Sequence, residues 1–400
     1  MDTPDDDLRS RAKAAFKQYV TVWEFADFWK RANTFDGALH FVTAVRARWP
    51  EETMSGIDDV IAGNKPYFQG YLSNTGVWQD DYGWCGAASL SAHQYCNRFR
   101  NGTDADDYLE IARACWDNML QFGWDAASGA NAAKPVPNGS RNRDRNPDNP
   151  GTKNTVTNAT FLRLSVLLYS LTREQRYLDM ARQQYRWFEA WFEKSTLGYL
   201  QPPSFGSGVV IQERPIAEPD YERKIDPTWE QGWVWTGDQG LMLAALPEYS
   251  TLVPNAGPAP MDVFKRIGAG VQGILFDTAD VLQEAPFHSS FDDTYATDYV
   301  GGRGVLMRHL ASRPVRQYFD FKQKIVATAD AAWRSCNGTN QFTPDWNAAG
   351  KVGFAATYKN QMYWGDGALD WQFDPAAIKG VLQGAGLDAL GAAIVVTTPA

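Results

Sequence analysis

Two adjacent aspartates in the segment WQDDYGWC (78–85) are the side chains of this sequence best placed to do chemistry. Asp80 and Asp81 are flanked by Trp78, Tyr82 and Trp84. Two neighbouring carboxylates repel each other, and aromatic surroundings raise the cost of keeping both ionised. The pair therefore either caps a helix in solvent or acts as two carboxyl groups in opposite protonation states.

Glycoside hydrolysis is the reaction that uses such a pair. The two carboxyl groups lie about 5–5.5 Å apart in retaining enzymes and about 6.5–9.5 Å apart in inverting ones. Neighbouring Cα atoms are about 3.8 Å apart, so two side chains that enter the same cleft fall into the retaining range. Their repulsion raises the pKa of one carboxyl, which then serves as the acid while the other is the nucleophile.

A purely structural role for the pair competes with this interpretation. Aspartate is a good N-cap, and a second aspartate in the first turn is favoured by the helix dipole. The chain has other adjacent pairs, of which Asp106-Asp107 lies in a polar turn and is interpreted as a solvated helix start. The tryptophans on both sides of Asp80-Asp81 favour chemistry there.

The composition of the chain limits the kinds of partner that it is expected to bind. The net charge of −9 and the scattered Lys and Arg residues argue against nucleic acid or an anionic membrane surface. No stretch is expected to be long and apolar enough to span a membrane. Aromatic residues make up 14% of the chain, and many stand beside short polar residues, as a sugar site needs. The cysteines lack the spacing of zinc ligands, so a zinc site is not expected. No cofactor is expected either.

Helical periodicity runs through the whole chain and predicts about twelve helices. The predicted ranges are Leu8–Arg31, Phe41–Arg48, Gly56–Tyr71, Tyr82–Arg98, Ala105–Gln121, Val156–Leu171, Glu174–Lys194, Asp238–Leu246, Met261–Leu282, Gly301–Arg313, Val315–Arg334 and Pro375–Ala393. Two successive helix pairs share the pattern YLxxAR, at 108–113 and 177–182. A repeated helical hairpin indicates either a solenoid or a closed toroid. Six hairpins from twelve helices favour the closed all-α (α/α)6 barrel, with residues 1–400 as one domain and a monomer as the default.

Four segments, in this order, resemble glycoside hydrolase family 76, the endo-α-1,6-mannanases and their fungal cell-wall relatives. They are WQDDYGWCGAASLSAHQY (78–95), KNTVTNATFLRLSVLLYSLTREQRYLDMA (153–181), VWTGDQG (234–240) and GGRGVLMRHL (301–310). The resemblance implies an (α/α)6 barrel and retaining hydrolysis of α-1,6-linked mannose in a mannan-type polysaccharide, without a metal in the chemistry.

The resemblance also assigns roles to individual residues. Asp80 would be the nucleophile and Asp81 the acid/base. The residues that would line the cleft or contact sugar are Trp78, Tyr82, Trp84, Asn154, Asn158, Trp235, Asp238 and Gln239. One departure stands out: Gly237 and Asp238 replace the tyrosine and asparagine of the family pattern, which removes a stacking ring and an amide donor.

Other functions remain open at this stage. Related α/α toroids include sugar 2-epimerases, which use histidine pairs as acid and base, and this chain has His40, His93, His288 and His309. A transglycosylase would share the same glycosyl-enzyme intermediate, and a carbohydrate-binding protein would keep the cleft without turnover. The sequence starts without a signal peptide, but four N-x-S/T sequons suit a secreted or cell-surface protein, which is the expectation.

Overall fold

The computed structural model describes residues 4–126, 138–146, 148–149, 151–195, 208–214, 233–253, 259–283, 301–343, 346 and 375–398. The helices in these ranges are α1 (Pro4–Tyr19), α2 (Phe28–Arg48), α3 (Ile57–Tyr71), α4 (Gln79–Phe99), α5 (Ala105–Asn118), α6 (Thr155–Thr172), α7 (Gln175–Ser195), α8 (Thr236–Leu252), α9 (Ala259–Ile274), α10 (Gly302–Leu310), α11 (Arg313–Tyr318), α12 (Lys322–Arg334) and α13 (Pro375–Thr397). A π-helical turn, Met119–Gly123, follows α5, and two short antiparallel strands, β1 (Gln212–Arg214) and β2 (Trp233–Val234), precede α8.

Six of these helices form a closed inner ring. Helices α2, α4, α6, α8, α10 and α13 each pack against the next, and α13 closes the ring against α2. Outside the ring, α5 packs on α4, α7 on α6, α9 on α8, and α12 on α13. This is the predicted all-α (α/α)6 barrel, which is confirmed.

Two of the predicted helices are each divided in the structure, and a third, predicted as Met261–Leu282, already ends at Ile274. The run Leu8–Arg31 is two helices, because α1 ends at Tyr19 and Asp27 starts α2 as its N-cap, accepting a hydrogen bond from the backbone N–H of Lys30 at 3.2 Å. Apolar residues continue at helical spacing between the two helices without a glycine or proline, so the pattern hid the break. The run Val315–Arg334 is likewise divided, between α11 and α12.

The last helix corrects the expectation about membrane spans. By length and composition Ala376–Thr397 is apolar enough to cross a membrane, but 89% of its most apolar window is buried inside the protein. Helix α13 contacts α2, α10 and α12, so it is surrounded by protein on several sides. A helix in such a position is apolar around most of its circumference.

The inner helices share one direction, which gives the barrel two distinct ends. Trp29, Trp84 and Trp235, at the starts of α2, α4 and α8, contact one another and define the N-terminal mouth. The middle and last turns of all six inner helices line one cavity at the opposite end, the C-terminal mouth, where Glu248 and Val395 lie.

A buried ion cluster ties the inner ring together. Its members are Asp36 (α2), Arg163 (α6), Arg308 (α10) and Asp388 (α13). Arg308 donates from Nε to Asp388 Oδ1 at 2.7 Å and from Nη2 to Asp388 Oδ2 at 2.8 Å, and its Nη1 pairs with Asp36. Ser91 of α4 donates to Asp36, and Arg163 Nη1 lies 3.6 Å from Asp36 Oδ2. The cluster therefore joins five of the six inner helices.

His309, beside this cluster, predicts a dependence of stability on pH. Burial, and then the charges of Arg163 and Arg308, hold the pKa of His309 well below its ordinary 6.5. Below pH 6.5 the unfolded chain binds a proton at this histidine that the folded chain does not, so its contribution is fully present above pH 6.5 and is lost as pH falls. We expect this to cost up to about 1.4 kcal/mol per pH unit.

Urea unfolding of the wild type and of His309→Gln at pH 7.5 and 5.5 measures this effect. The free energy of unfolding of the wild type should fall more steeply between the two pH values than that of the variant. Parallel pH dependences would contradict the prediction.

Candidate active site

Asp80 and Asp81 lie in the first turn of α4, at the N-terminal mouth. Trp78 is the N-cap, with extended backbone (φ −74°, ψ 157°), and the helix begins at Gln79. The first backbone N–H groups of a helix have no partner within it, and their dipole favours negative charge. Both carboxyl groups are half-buried. The local fold therefore places both aspartates at a helix N-terminus where solvent still reaches them.

Thr157 connects this pair to the neighbouring inner helix. Its hydroxyl, in the first turn of α6, donates a long hydrogen bond of 3.5 Å to Asp80 Oδ1, and the threonine is fully buried. A hydrogen bond donated to a carboxylate favours the ionised form. Sequence reasoning covered this segment but did not single out Thr157, because only the packing of α6 on α4 brings it to Asp80.

The three aromatic residues around the pair occupy different environments. Trp78 is 42% exposed, whereas Trp84 is buried. Tyr82 is fully buried, lies edge-on to Phe28 and donates its hydroxyl to the carbonyls at positions 71 and 74. The structure therefore does not place Tyr82 at the cleft surface that the resemblance implied, because its ring and hydroxyl are both used within the core. Trp78 is the open ring beside the aspartates.

A cluster of three tryptophans packs beneath the mouth. The Trp84 ring lies 5.8 Å from those of Trp29 and Trp235, and Trp29 and Trp235 are 6.3 Å apart and nearly perpendicular. Edge-to-face packing of this kind fixes ring orientation. Trp29 was missed from sequence because the predicted helix Leu8–Arg31 placed it near the end of a long helix rather than at the start of a new one.

Gly237, the first departure from the family pattern, is required by Trp235. A Cβ atom at position 237 would lie 2.5 Å from the Trp235 ring, so any side chain there would displace the indole. The Trp235 ring thus occupies space next to a position where the family pattern has tyrosine. Asp238, the second departure, is fully buried in the first turn of α8.

Two of the amides expected to contact sugar are engaged in holding loops. Asn158 accepts from the backbone N–H of Ser140 at 2.7 Å and donates to the carbonyls of Ser140 and Asn154. Gln239 accepts from the N–H of Ile211 at 2.8 Å and donates to the carbonyls of Ile211 and Trp235. Both carboxamides satisfy buried backbone, so the structure gives them positioning roles in place of the predicted sugar contacts.

Gln239 carries a testable consequence. Gln239→Leu keeps the volume but leaves the N–H and C=O of Ile211 buried without their partner, which costs about 1–3 kcal/mol for each such group. We expect the unfolding midpoint of Gln239→Leu in urea to fall, while the KM of the variant that remains folded changes little. A large rise in KM at unchanged stability would instead show direct contact with substrate.

Asn154 differs from these two amides. It stands at the N-cap of α6, and its Nδ2 donates to Glu213 Oε1 at 3.0 Å, while the neighbouring Thr155 donates its hydroxyl to the carbonyl of Gln212. These contacts attach the segment of β1 to the mouth. Glu213 was missed from sequence because the stretch around it has no periodic pattern and no neighbouring acidic partner.

Three buried polar groups at the mouth have no hydrogen-bond partner among the described residues. They are the Gln79 carboxamide, Asn154 Oδ1 and Trp235 Nε1. Each belongs to a residue at the very start of an inner helix, respectively α4, α6 and α8. Buried polar groups are normally paired, so these three are candidates to bind a hydroxylated ligand.

The three histidines in the described part of the chain lie away from this mouth. His93 contacts the carbonyl of Ala105 and the side chain of Asn97, and His40 and His309 line the cavity at the C-terminal mouth. His288 lies outside the described residues. Within the described ranges, no three His, Cys, Asp or Glu side chains are grouped to hold a metal ion.

A known family model matches the part of the chain that contains the aspartate pair. The family model described as glycosyl hydrolase family 76 matches residues 13–197, which include Asp80, Asp81 and Asn154. Residues 13–197 are thus similar to glycosyl hydrolase family 76. The resemblance seen in the sequence is confirmed, and so is the expected class of enzyme, a glycoside hydrolase.

Solved structures agree on the fold. One similar structure is that of an α-1,6-mannanase, GH76A of Salegentibacter sp. HEL1_6, with a TM-score of 0.61 and 15% identity over 98% of this chain and 100% of that one. It is an inactive variant, in which two adjacent aspartates are changed to asparagine, in complex with α-1,6-mannotriose. Dfg5 of Chaetomium thermophilum, in complex with glucosamine, has a TM-score of 0.67 and 13% identity, over 100% of this chain and 92% of that one.

A family 76 mannosidase of Bacteroides thetaiotaomicron is a third similar structure, with a TM-score of 0.59 and 16% identity, over 97% of this chain and 98% of that one. None of the curated proteins matches the sequence. At these identities the structural likeness establishes the shared helical barrel, and the substrate of this chain must be argued from its own site.

Proposed function

We propose that this protein is a retaining glycoside hydrolase that cleaves α-1,6-mannosidic linkages in a mannan-type polysaccharide. The observation that carries the proposal is the adjacency of Asp80 and Asp81 in the first turn of α4, at the N-terminal mouth. One backbone turn there presents two carboxyl groups to solvent beside an exposed tryptophan, Trp78. Double displacement needs two carboxyl groups about 5–5.5 Å apart, a separation that two adjacent residues can reach.

The contacts of the pair favour one assignment of roles. The Thr157 hydroxyl donates to Asp80, which favours the ionised carboxylate that a nucleophile requires. Asp80 then attacks the anomeric carbon as Asp81 gives its proton to the departing glycosidic oxygen. In the second step Asp81 takes a proton from water, whose oxygen displaces Asp80 and restores the starting configuration.

The other groups at the mouth suit a sugar chain. Trp78 offers an open ring on which the apolar face of a pyranose can stack. Gln79, Asn154 and Trp235 provide buried polar atoms that have no hydrogen-bond partner in the described part of the chain and that sugar hydroxyls would satisfy. Asp238 lies near them, at the start of α8. The similar mannanase bound to α-1,6-mannotriose, inactivated at two adjacent aspartates, supports both the linkage and the role of the pair.

Further features belong to the same proposal. The contact of α13 with α2 brings the two ends of the chain together, which favours one catalytic domain over residues 1–400. A ring that closes its own core favours a monomer. We also propose a secreted or cell-surface location, where a polymeric mannan is accessible, and a reaction that needs no cofactor.

Product analysis on linear α-1,6-mannooligosaccharides tests the proposal, with proton NMR following the anomer that forms first. Short α-anomeric products from the wild type, and none from Asp80→Asn, are expected. Products that appear first as β-anomers would overturn retention. Products longer than the substrate would identify a transglycosylase, and a change of configuration at C2 would identify an epimerase. Binding without any product would leave a carbohydrate-binding protein.

A further inference from the structure

The C-terminal mouth contains a second cavity, of about 370 Å³. All six inner helices contribute to its lining, together with the segment that joins α10 to α11. Ser91, in its wall, follows Asp80 by eleven residues along α4, a distance of about 16 Å. The cavity is therefore separate from the aspartate pair.

The charge of the side chains that line this cavity is opposite to that of the aspartate pair at the N-terminal mouth. Four arginines line it, Arg163, Arg308, Arg313 and Arg316, and Glu248 is the carboxylate in the lining. Arginines outnumber carboxylates here even when Asp36 and Asp388, which pair with Arg308 behind the wall, are counted. Among the described residues that line it there is no Phe, Tyr or Trp ring, so this lining lacks the stacking surface of a sugar site. This local excess of cations occurs in a chain with a net charge of −9.

Two buried groups in the wall keep unused hydrogen-bonding capacity. Arg308 is saturated by Asp36, Asp388 and Asn33. Arg163 Nη1, by contrast, has no hydrogen-bond partner among the described residues, its carboxylate neighbour Asp36 being 3.6 Å away. His309 Nε2 is also without a partner in the described ranges.

Both side chains are more than nine-tenths buried, with Arg163 6% and His309 5% exposed, and both line the cavity. A buried guanidinium N–H without an acceptor is costly, and a bound oxyanion would satisfy it. The partial negative charge at the C-terminal ends of the inner helices explains why cations are placed at this end of the barrel. It does not explain two buried groups that lack partners.

We propose that the cavity at the C-terminal mouth binds a small oxyanion, a phosphate group or a carboxylate. Arg163 and His309 hold the anion at the cavity floor, and the exposed Arg313 and Arg316 attract it at the rim. The proposed anion site does not contact the aspartate pair, so this proposal is independent of whether the protein hydrolyses mannan.

Isothermal titration of the full chain with inorganic phosphate, and separately with citrate, tests the proposal at constant ionic strength. We expect saturable binding of at least one of the two, and the comparison identifies the preferred anion. Arg163→Gln should weaken binding about tenfold or more, because it removes a charged hydrogen bond. Arg313→Gln should weaken it less. Arg182→Gln is the matched control, since Arg182 is exposed on α7 and pairs with Asp179.

The side-chain 15N resonance of His309 gives a readout that a structural role would not move. It should shift when the wild type is titrated with the bound anion, and in Arg313→Gln the same shift should require a higher anion concentration. If Arg163→Gln fails to fold, the anion affinity of Arg313→Gln and the shift of the His309 resonance still test the proposal. Absence of saturable binding at millimolar phosphate and citrate, or equal affinity in the wild type, Arg313→Gln and Arg182→Gln, would overturn the proposal.

Discussion

Asp80→Asn is expected to lower kcat on α-1,6-mannooligosaccharides by more than about 10³-fold, because an amide cannot form the glycosyl-enzyme intermediate. Asp81→Asn removes proton transfer to the leaving group and should cost about 10²–10⁴-fold on the same substrate. Both asparagine side chains still fit the first turn of α4, where the parent carboxyl groups are half-buried. The circular dichroism spectrum and unfolding midpoint should therefore remain close to those of the wild type.

A substrate with an activated leaving group separates the two roles. An aryl α-mannoside whose phenol leaves without protonation bypasses the acid in the first step. Asp81→Asn should then release phenol in a burst and stall at the intermediate, whereas Asp80→Asn should remain inactive. Added azide should accelerate the stalled Asp81→Asn enzyme, because azide attacks without needing a base. The opposite pattern would exchange the two assignments, and the long hydrogen bond from Thr157 to Asp80 would then need another explanation.

The chain supplies a matched control for this pair. Asp106 and Asp107 also stand in the first turn of a helix, but α5 belongs to the outer layer and both residues are exposed. Asp106→Asn changes the same kind of helix start without touching the N-terminal mouth. It should leave kcat and KM unchanged, and a comparable loss of activity in this variant would show that the effect at Asp80 is not local chemistry.

Much of the fold could be predicted because the outer helices α5, α7, α9 and α12 carry strong amphipathic patterns, while the inner helices read as long apolar runs that end at polar turns. The hairpin pattern at 108–113 and 177–182 marks the starts of two outer helices, α5 and α7, which indicated a repeating architecture. The break at Asp27 could not be seen in the same way. The break is marked by one N-cap hydrogen bond, which the Asp27 side chain accepts from the backbone N–H of Lys30. The apolar residues around the break continue at helical spacing.

The site was less predictable than the fold, for a physical reason. Asp80 and Asp81 are adjacent in sequence, so their proximity needs no knowledge of packing. Asn158 and Gln239 were expected to contact sugar because the family resemblance implies it, yet each one binds a backbone segment that is distant in sequence. Whether a buried amide serves a loop or a ligand depends on what lies opposite it, and only the folded chain contains that information.

The largest effect on stability is expected at Arg308. Its guanidinium compensates two buried carboxylates, Asp36 and Asp388, and links α10 to α2 and α13. Arg308→Met has a similar shape but leaves both carboxylates without their main partner. Removing one member of a buried ion pair typically costs about 3–5 kcal/mol, so we expect a loss of this size in the free energy of unfolding. The exposed pair Arg182–Asp179 is the control, and Arg182→Met should cost less than about 1 kcal/mol.

The pH dependence of this loss distinguishes lost charge compensation from lost packing. Burial acts to raise the pKa of Asp36, but Arg308, His40 and Arg163 together hold it well below its ordinary 3.8. In the wild type its contribution is therefore present above pH 3.8 and is lost only as pH falls below that value. Without Arg308, burial should raise the pKa of Asp36, so that the folded variant binds a proton that the unfolded chain has released. The difference in stability between wild type and Arg308→Met should then widen from pH 4 to pH 7 in urea unfolding. A constant difference would mean that Arg308 stabilises the barrel through its packing and not through its charge.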